Sequence, residues 1–299
     1  MKKYCCRICG SEEFIVIYDG QVRSGGINSD FIDGHTIRQC SKCSFVSIFP
    51  ILVDLENFYE TEQYRKEFFE EISVSDLQRT YDIEQNDRIK QIGIENIRGR
   101  VIGDFGAGPG LFLDAVQGIA KKTIAIEPTK LYHKYFDTKG HLFYNYAQEL
   151  KASDVKLDLA VSFDTIEHVE NIKEFVKGIH ETLISDGVLY LSMPNHNDIS
   201  RLLLPDELSS FLYMKAHLNY FTETTAKLLL EQQGFLVKHT GYIHKYNLSN
   251  LLQWAKFGKP GKFDTSTVLD EYFQNNYINE VNRLGLSSHL FLIAQKKNS

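Results

Sequence analysis

The stretch Val101-Ile102-Gly103-Asp104-Phe105-Gly106-Ala107-Gly108-Pro109-Gly110 decides the fold of this chain. A short apolar run carrying an acid reads as a buried strand. The glycines that follow read as a turn whose backbone can approach a ligand with no side chain in the way. Leu111 to Ile119 then reads as an apolar helix, with its N-terminus beside that turn. A dinucleotide-binding fingerprint would place its third glycine where Leu111 stands, and a phosphate-binding P-loop would end in Gly-Lys-Ser/Thr, which is absent. The next strand, Thr123 to Ile126, ends in Glu127, 23 residues after Asp104. A carboxylate there can accept both hydroxyl hydrogens of a ribose.

Outward from this pair the same alternation continues. Strands are expected at about Leu142 to Tyr146, Leu157 to Phe163 and Gly187 to Met193, and late strands at Phe235 to Ile243 and His289 to Gln295. Ile199 to Leu218 reads as an inserted helical segment, and Thr222 to Gln233 as a helix ended by Gly234. Strands alternating with helices predict an α/β, Rossmann-like, doubly wound parallel sheet over residues 99–299, with insertions at about 196–220 and 244–288. Residues 55–98 read as a helical connector or lid. In it Phe58, Tyr59, Phe68, Phe69, Leu77, Tyr81, Ile89 and Ile94 recur among charged residues.

All five cysteines precede residue 44, as Cys5-Cys6-x-x-Cys9 and Cys40-x-x-Cys43. Paired hooks of this spacing present four thiolates to one zinc ion, so residues 1–54 are expected to form a zinc module with Cys6, Cys9, Cys40 and Cys43 as ligands. Cys5 is the spare thiol and an alternative to Cys6. Four thiolates leave zinc no open position, which makes the metal structural rather than catalytic. The 30 residues between Cys9 and Cys40 must themselves fold as a small hairpin-like unit.

With 43% hydrophobic and 24% charged residues the composition is that of an ordinary globular protein. No apolar run approaches the roughly 18 residues of a membrane span, and the Met1-Lys2-Lys3 start has no apolar signal core, so a cytoplasmic location is expected. A net charge of −6 weighs against a large nucleic-acid footprint, and residues 1–50 carry six Lys/Arg against five Asp/Glu.

Several stretches in order resemble class I S-adenosylmethionine-dependent methyltransferases over roughly residues 95–245. Val101 to Gly110 is similar to the first motif of that family, and Ala125-Ile126-Glu127-Pro128 to its ribose-binding strand. Tyr146-Ala147-Gln148-Glu149 falls where the family contacts adenine. Asp158 to Val169, with its Glu167-His168 turn, is similar to the fourth strand, Gly187 to Asn195 to the fifth, and His217-Leu218-Asn219-Tyr220-Phe221-Thr222 to a later motif. The resemblance implies S-adenosylmethionine as cofactor, held by Asp104, Gly106, Ala107, Gly108, Glu127, Ala147, Gln148, Phe163 and Asp164. The cysteine pairs in front resemble the branch typified by sugar C-methyltransferases. That branch implies a small-molecule acceptor, a nucleotide-linked sugar or surface-polysaccharide precursor, methylated on carbon or oxygen. Where the branch has Glu directly before its catalytic His, this chain has Ala216 before His217.

Methyl transfer from a sulfonium is an in-line displacement, so the protein must align the acceptor and, for a hydroxyl or acidic C–H, remove a proton. His217 and His168 are the candidate bases, with His196 behind them, each weighed against the commoner role of a hydrogen-bonded structural histidine. Phe211, Tyr213, Tyr220 and Phe221 either pack the core or line the acceptor pocket. Tyr59 and Tyr64 read as packing residues of the connector, and Trp254 as an anchor of the late insertion. The rivals are an RNA methyltransferase gripping its substrate through the zinc module, and a non-catalytic binding or scaffold protein. Asp164-Thr165-Ile166-Glu167 lacks the Asn/Asp-Pro-Pro-Tyr pattern of enzymes that methylate the amino groups of bases.

Overall fold

The computed structural model describes residues 4–26, 28–51, 74–259, 261 and 269–297, with backbone alone for 74–80. Tyr59, Tyr64 and most of the expected connector lie outside these residues. In chain order the first strands are β1 (Phe14–Asp19), β2 (Val22–Arg23), β3 (Phe31–Ile32), β4 (Thr36–Cys40) and β5 (Val46–Phe49). Helices α1 (Val74–Ile92) and α2 (Ile94–Ile97) lead into β6 (Val101–Phe105) and α3 (Leu111–Val116). There follow β7 (Lys122–Ile126), α4 (His133–Lys139), β8 (Leu142–Tyr144), α5 (Ala147–Ala152), β9 (Leu157–Phe163), α6 (Ile172–Thr182) and β10 (Leu183–Pro194). The last third holds α7 (Ile199–Leu203), α8 (Pro205–Leu212), β11 (Asn219–Tyr220), α9 (Glu223–Gln232), β12 (Phe235–Ile243), α10 (Leu248–Phe257), α11 (Glu271–Arg283) and β13 (His289–Lys296).

Seven strands form the central sheet in the order β12-β13-β10-β9-β6-β7-β8. β6 pairs in parallel with both β7 and β9, so the chain winds outward to β8 and then returns to the other side of β6. The crevice at the carboxyl ends of β6 and β9 is therefore a topological switch point, where sheets of this kind open a ligand site. The parallel expectation holds through β10, but β13 runs antiparallel to both β10 and β12. Hydropathy alone does not carry strand direction.

Alternation along the buried strands splits the core into two layers. Ala160, Leu189 and Leu191 face α5, α6 and α9 through Leu150, Ile179 and Leu229. Leu159, Val161, Phe163 and Tyr190 face α3 and α4 through Phe112, Val116 and Phe136. Both faces being covered is what makes these strands read as continuous apolar runs.

The cysteine-bearing sheet, β1-β4-β5-β11, closes on a strand from far along the chain: Val46 pairs with Tyr220 and Ser47 with Asn219. Phe45 meets Phe221 with ring centroids 5.1 Å apart, and Arg7 donates from Nη1 to the Leu218 carbonyl (2.8 Å) and Asn219 Oδ1 (3.0 Å). Cys6, Ile8 and Cys40 accordingly share a core with β9, β10 and α9.

The expected helical segment Ile199 to Leu218 is instead two short helices and an extended strap. Leu204, at φ −130° and ψ 55°, leaves the helical region directly before Pro205, whose ring disfavours a helical predecessor. The chain leaves α8 at Tyr213 and is extended by Asn219. α3 also stops at Val116, short of the expected Ile119, just before Gln117-Gly118. No helix among the described residues is long and apolar enough to cross a membrane.

Candidate functional site

The glycine turn stands at the carboxyl end of β6. Gly106 has φ +79°, and a Cβ there would come within 2.4 Å of Thr165 Oγ1, so the turn after β9 can close on it only if no side chain intervenes. Gly108, at φ +51°, is the opposite case: a Cβ would meet nothing within 4 Å, because its backbone borders open space. Ala107, between them, is buried against α3.

Asp104 and Glu127 flank this turn. Asp104 is 3% exposed, and its Oδ1 has no hydrogen-bond partner among the described residues. Burial pushes its carboxyl up to about 7, with the Arg88 charge opposing and the Glu127 charge adding to the rise. Glu127 receives Gly108 N–H on Oε2 at 2.8 Å and Thr129 N–H on Oε1 at 3.0 Å, so one carboxylate braces the turns after β6 and β7 together.

Across the crevice, Asp164 follows β9 at φ +49°, a left-handed conformation uncommon for a non-glycine residue. Lys245 (3.6 Å), Arg88 (3.6 Å) and His289 (3.9 Å) surround its carboxylate. Burial would raise Asp164, but Lys245, His289 and Arg88 hold it well below the usual carboxylate range. The Arg88 guanidinium also lies 4.2 Å over the Phe163 ring, whose other contacts are Phe112 and Tyr190. Phe163 is thus a core residue roofed by a cation. Ala147 turns its methyl toward Gly178 of α6, while Gln148 beside it is exposed.

The structure brings two of the candidate histidines together. The rings of His168 and His217 stand edge to face with centroids 4.7 Å apart, although 49 positions separate them in sequence. The strap before β11 produces this meeting. Leu218 N–H donates to the Glu167 carbonyl at 2.7 Å, His168 Nδ1–H to the Ala216 carbonyl at 3.0 Å, and Asn219 Nδ2 to the Ile166 (3.0 Å) and Val169 (2.7 Å) carbonyls. Burial lowers His168 to about 4 and, with the charges of His168 and Arg23, puts His217 well below its ordinary value. Both rings are neutral at pH 7. His196 is set apart, hydrogen-bonded to Tyr213 Oη at 3.1 Å.

Of the aromatic cluster, Tyr213, Tyr220 and Phe221 are buried, the two tyrosines in a core shared with Val22, Ile37 and Ile48. Phe211 lies under Arg23 at 4.2 Å and against Trp254, which anchors α10 on α8.

The four sulfurs of Cys6, Cys9, Cys40 and Cys43 lie within 4.8 Å of one another, with Cys6–Cys43 and Cys9–Cys40 both at 3.5 Å. Tetrahedral thiolates about 2.3 Å from zinc would be about 3.8 Å apart, so the cluster fits that ion. Burial raises Cys40, but the N–H groups of Cys43 and Lys42 pull it down to about 7. Cys5 is exposed and outside the cluster, which leaves Cys6 as the fourth sulfur.

Arg88, Lys245 and Glu167 were not singled out from the sequence. The first two are single basic residues in polar surroundings and carry no local signal; Glu167 was visible only as the neighbour of His168.

A model of the methyltransferase domain family matches residues 64–240. The chain belongs to this family. It is a class I S-adenosylmethionine-dependent methyltransferase, and the match spans the glycine turn, both acids and the paired histidines. Among solved structures, a SAM-dependent methyltransferase from Archaeoglobus fulgidus superposes with a TM-score of 0.50 at 20% identity, over 74% of this chain and 98% of its own. Magnesium protoporphyrin IX methyltransferase (ChlM) from Synechocystis PCC 6803, solved with bound SAH, gives 0.47 at 14% identity, over 81% of this chain and 97% of its own. The first of these likenesses shows the fold. No curated protein sequence matches the chain.

The Asp104 carboxyl makes stability depend on pH in a defined direction. Its folded value of about 7 exceeds its ordinary 3.8, so the folded chain holds a proton the unfolded chain has released. Stability from this group is therefore lost as pH rises from about 4 to about 7, by up to about 1.4 kcal/mol per pH unit. In chemical denaturation of the cofactor-free protein, Asp104→Asn should gain on the wild type between about pH 5 and about pH 7.5. A difference that does not change with pH contradicts the assignment.

Proposed function

We propose that this methyltransferase transfers the methyl group of S-adenosylmethionine to carbon or oxygen of a small-molecule acceptor, a nucleotide-linked sugar or related surface-polysaccharide precursor, with His217 or His168 receiving the proton. One observation carries the reading: two acids and a left-handed glycine turn occupy the switch-point edge of the sheet, and two neutral imidazoles face each other beside Asp164.

The residues at this edge fit the cofactor. Gly108 offers backbone next to open space, the unpartnered Asp104 Oδ1 can accept a hydrogen bond, and Glu127 can exchange its two N–H partners for ribose hydroxyls. Gly106 and Ala107 shape the turn, Ala147 and the exposed Gln148 open α5, and Asp164 stands at the end of β9 beyond the buried Phe163. When bound, S-adenosylmethionine supplies a methyl group already activated by a positive sulfur. The remaining work is alignment and proton removal. His168 Nδ1 is committed to the Ala216 carbonyl, which makes Nε2 the lone-pair nitrogen. Burial keeps both rings unprotonated near neutrality, so each offers a free lone pair toward the acceptor.

We assign zinc to Cys6, Cys9, Cys40 and Cys43 as a structural ion for an N-terminal module spanning residues 1–54, followed by a connector at 55–98 and the methyltransferase domain at 99–299. Asn219 and Phe221 tie that module to the histidine strap, so its role in the reaction is to shape the acceptor pocket.

Incubation of the purified protein with labelled methyl donor and a panel of nucleotide sugars, phospho-compounds and RNA should place the label on a sugar carbon or oxygen, located by mass spectrometry. Label on RNA with inert sugars would overturn the acceptor assignment. Cys40→Ser and Cys43→Ser should each lose zinc and unfold the cysteine-bearing sheet. Metal retained in both variants would remove the four-thiolate site.

A further inference from the structure

Glu167, His168 and His217 present ligand atoms that all lie within 4.8 Å of one another. The three side chains sit on the two segments that the strap joins, the turn Ile166–His168 after β9 and the residues leading into β11. None of them belongs to the cysteine cluster. Glu167 is 2% exposed, and its Oε2 has no hydrogen-bond partner among the described residues. A buried carboxylate oxygen without a donor calls for a proton, a water or a cation. His168 and His217 are half-buried, whereas Glu167 is fully buried.

We propose that Glu167, His168 and His217 bind one divalent transition-metal ion, whose open coordination positions take an oxygen of the methyl acceptor. Two imidazoles and one carboxylate are the donor set suited to Mn2+, Fe2+, Co2+ or Zn2+ rather than to calcium or magnesium, and three protein ligands leave positions free for substrate. Ligand atoms about 2.0–2.2 Å from an ion stand about 3–3.5 Å apart, so modest side-chain rotation closes the triad. The support around it is already in place. His168 Nδ1–H donates to the Ala216 carbonyl, the outer contact that orients a metal-bound histidine and directs Nε2 to the ion. The Leu218 N–H bond to the Glu167 carbonyl and the Asn219 bonds to Ile166 and Val169 fix the two segments in register.

The ion binding itself is independent of which acceptor is used. Its role in catalysis rests on the proposed placement of the acceptor beside the histidines. A hydroxyl bound to a divalent cation is far more acidic than a free one. With both imidazoles ligated, the ion takes the place of a histidine base: the acceptor's proton would leave to solvent, the oxygen would attack the methyl carbon, and the carbon–sulfur bond would break with its electron pair remaining on sulfur. The same ion would stabilise negative charge on an oxygen next to a reacting carbon, so both oxygen and carbon methylation remain compatible.

The test uses the full chain with its cysteine-bound metal in place. Mn2+ binding is followed by electron paramagnetic resonance and Co2+ binding by visible absorption; thiolates discriminate against Mn2+, which separates the two sites. One equivalent of Mn2+ or Co2+ should bind to the wild type, without thiolate-to-cobalt charge transfer. Glu167→Gln and His217→Gln should each weaken that binding at least tenfold while circular dichroism and the cysteine-bound metal are unchanged. Failure of both ions to bind one to one, or binding that survives both substitutions, overturns the proposal. If one variant fails to fold, the wild-type stoichiometry and the other variant decide. S-adenosylhomocysteine binding, measured on the same samples, separates this outcome from a failure of the methyltransferase reading: an absent metal with intact cofactor binding rejects the metal alone.

Discussion

Residues Ala216 to Tyr220 are the constraint on which the rest of the site depends. Over five residues the chain accepts a hydrogen bond from His168, donates to the carbonyl of Glu167, caps the turn after β9 through Asn219, and adds a strand to the cysteine-bearing sheet. Arg7 reaches the same point from the N-terminal segment. Removing any one of these bonds would leave a buried donor or acceptor unsatisfied, at about 1–3 kcal/mol each. The paired histidines are thus positioned by the junction between two sheets and not by either sheet alone.

A second constraint is electrostatic. Asp104, Glu127 and Asp164 crowd acidic groups onto one edge of a sheet that is otherwise apolar. The structure treats them differently: Asp104 is desolvated and unpaired, Glu127 is held by two backbone donors, and Asp164 is surrounded by Arg88, Lys245 and His289. Burial holds the Asp104 carboxyl up, while the cations around Asp164 hold that carboxyl down. An edge this rich in acids favours a cationic ligand of the S-adenosylmethionine kind.

Much of this was legible in the sequence wherever a single physical signal dominated. Leu157–Phe163 and Phe235–Ile243 fall at their expected bounds; β9 is buried on both faces and β12 begins directly after Gly234. β10 begins at Leu183 instead of Gly187, because Leu183 pairs with Leu157 while the residues just after it form an exposed irregularity. The glycine turn, the two acids and the cysteine hooks were legible in the sequence, and the structure places Glu127 against Gly108 and gathers the four sulfurs. β11, two residues long, is too short to show any periodicity, so the closure of the N-terminal sheet by Asn219-Tyr220 left no trace in the pattern. The cations around Asp164 were invisible for a related reason: Arg88 and Lys245 are isolated charges whose meaning depends on where α1 and β12 end in space.

The central claim is that the β6 edge is a site for S-adenosylmethionine and its product, with Glu127 as the ribose ligand. Isothermal titration of the wild type and of Glu127→Ala with S-adenosylhomocysteine tests it most directly. The account predicts one-to-one binding by the wild type and at least a tenfold loss in the variant, about 1.4 kcal/mol or more. Absence of binding to the folded wild type, or equal affinity in the two proteins, would contradict it.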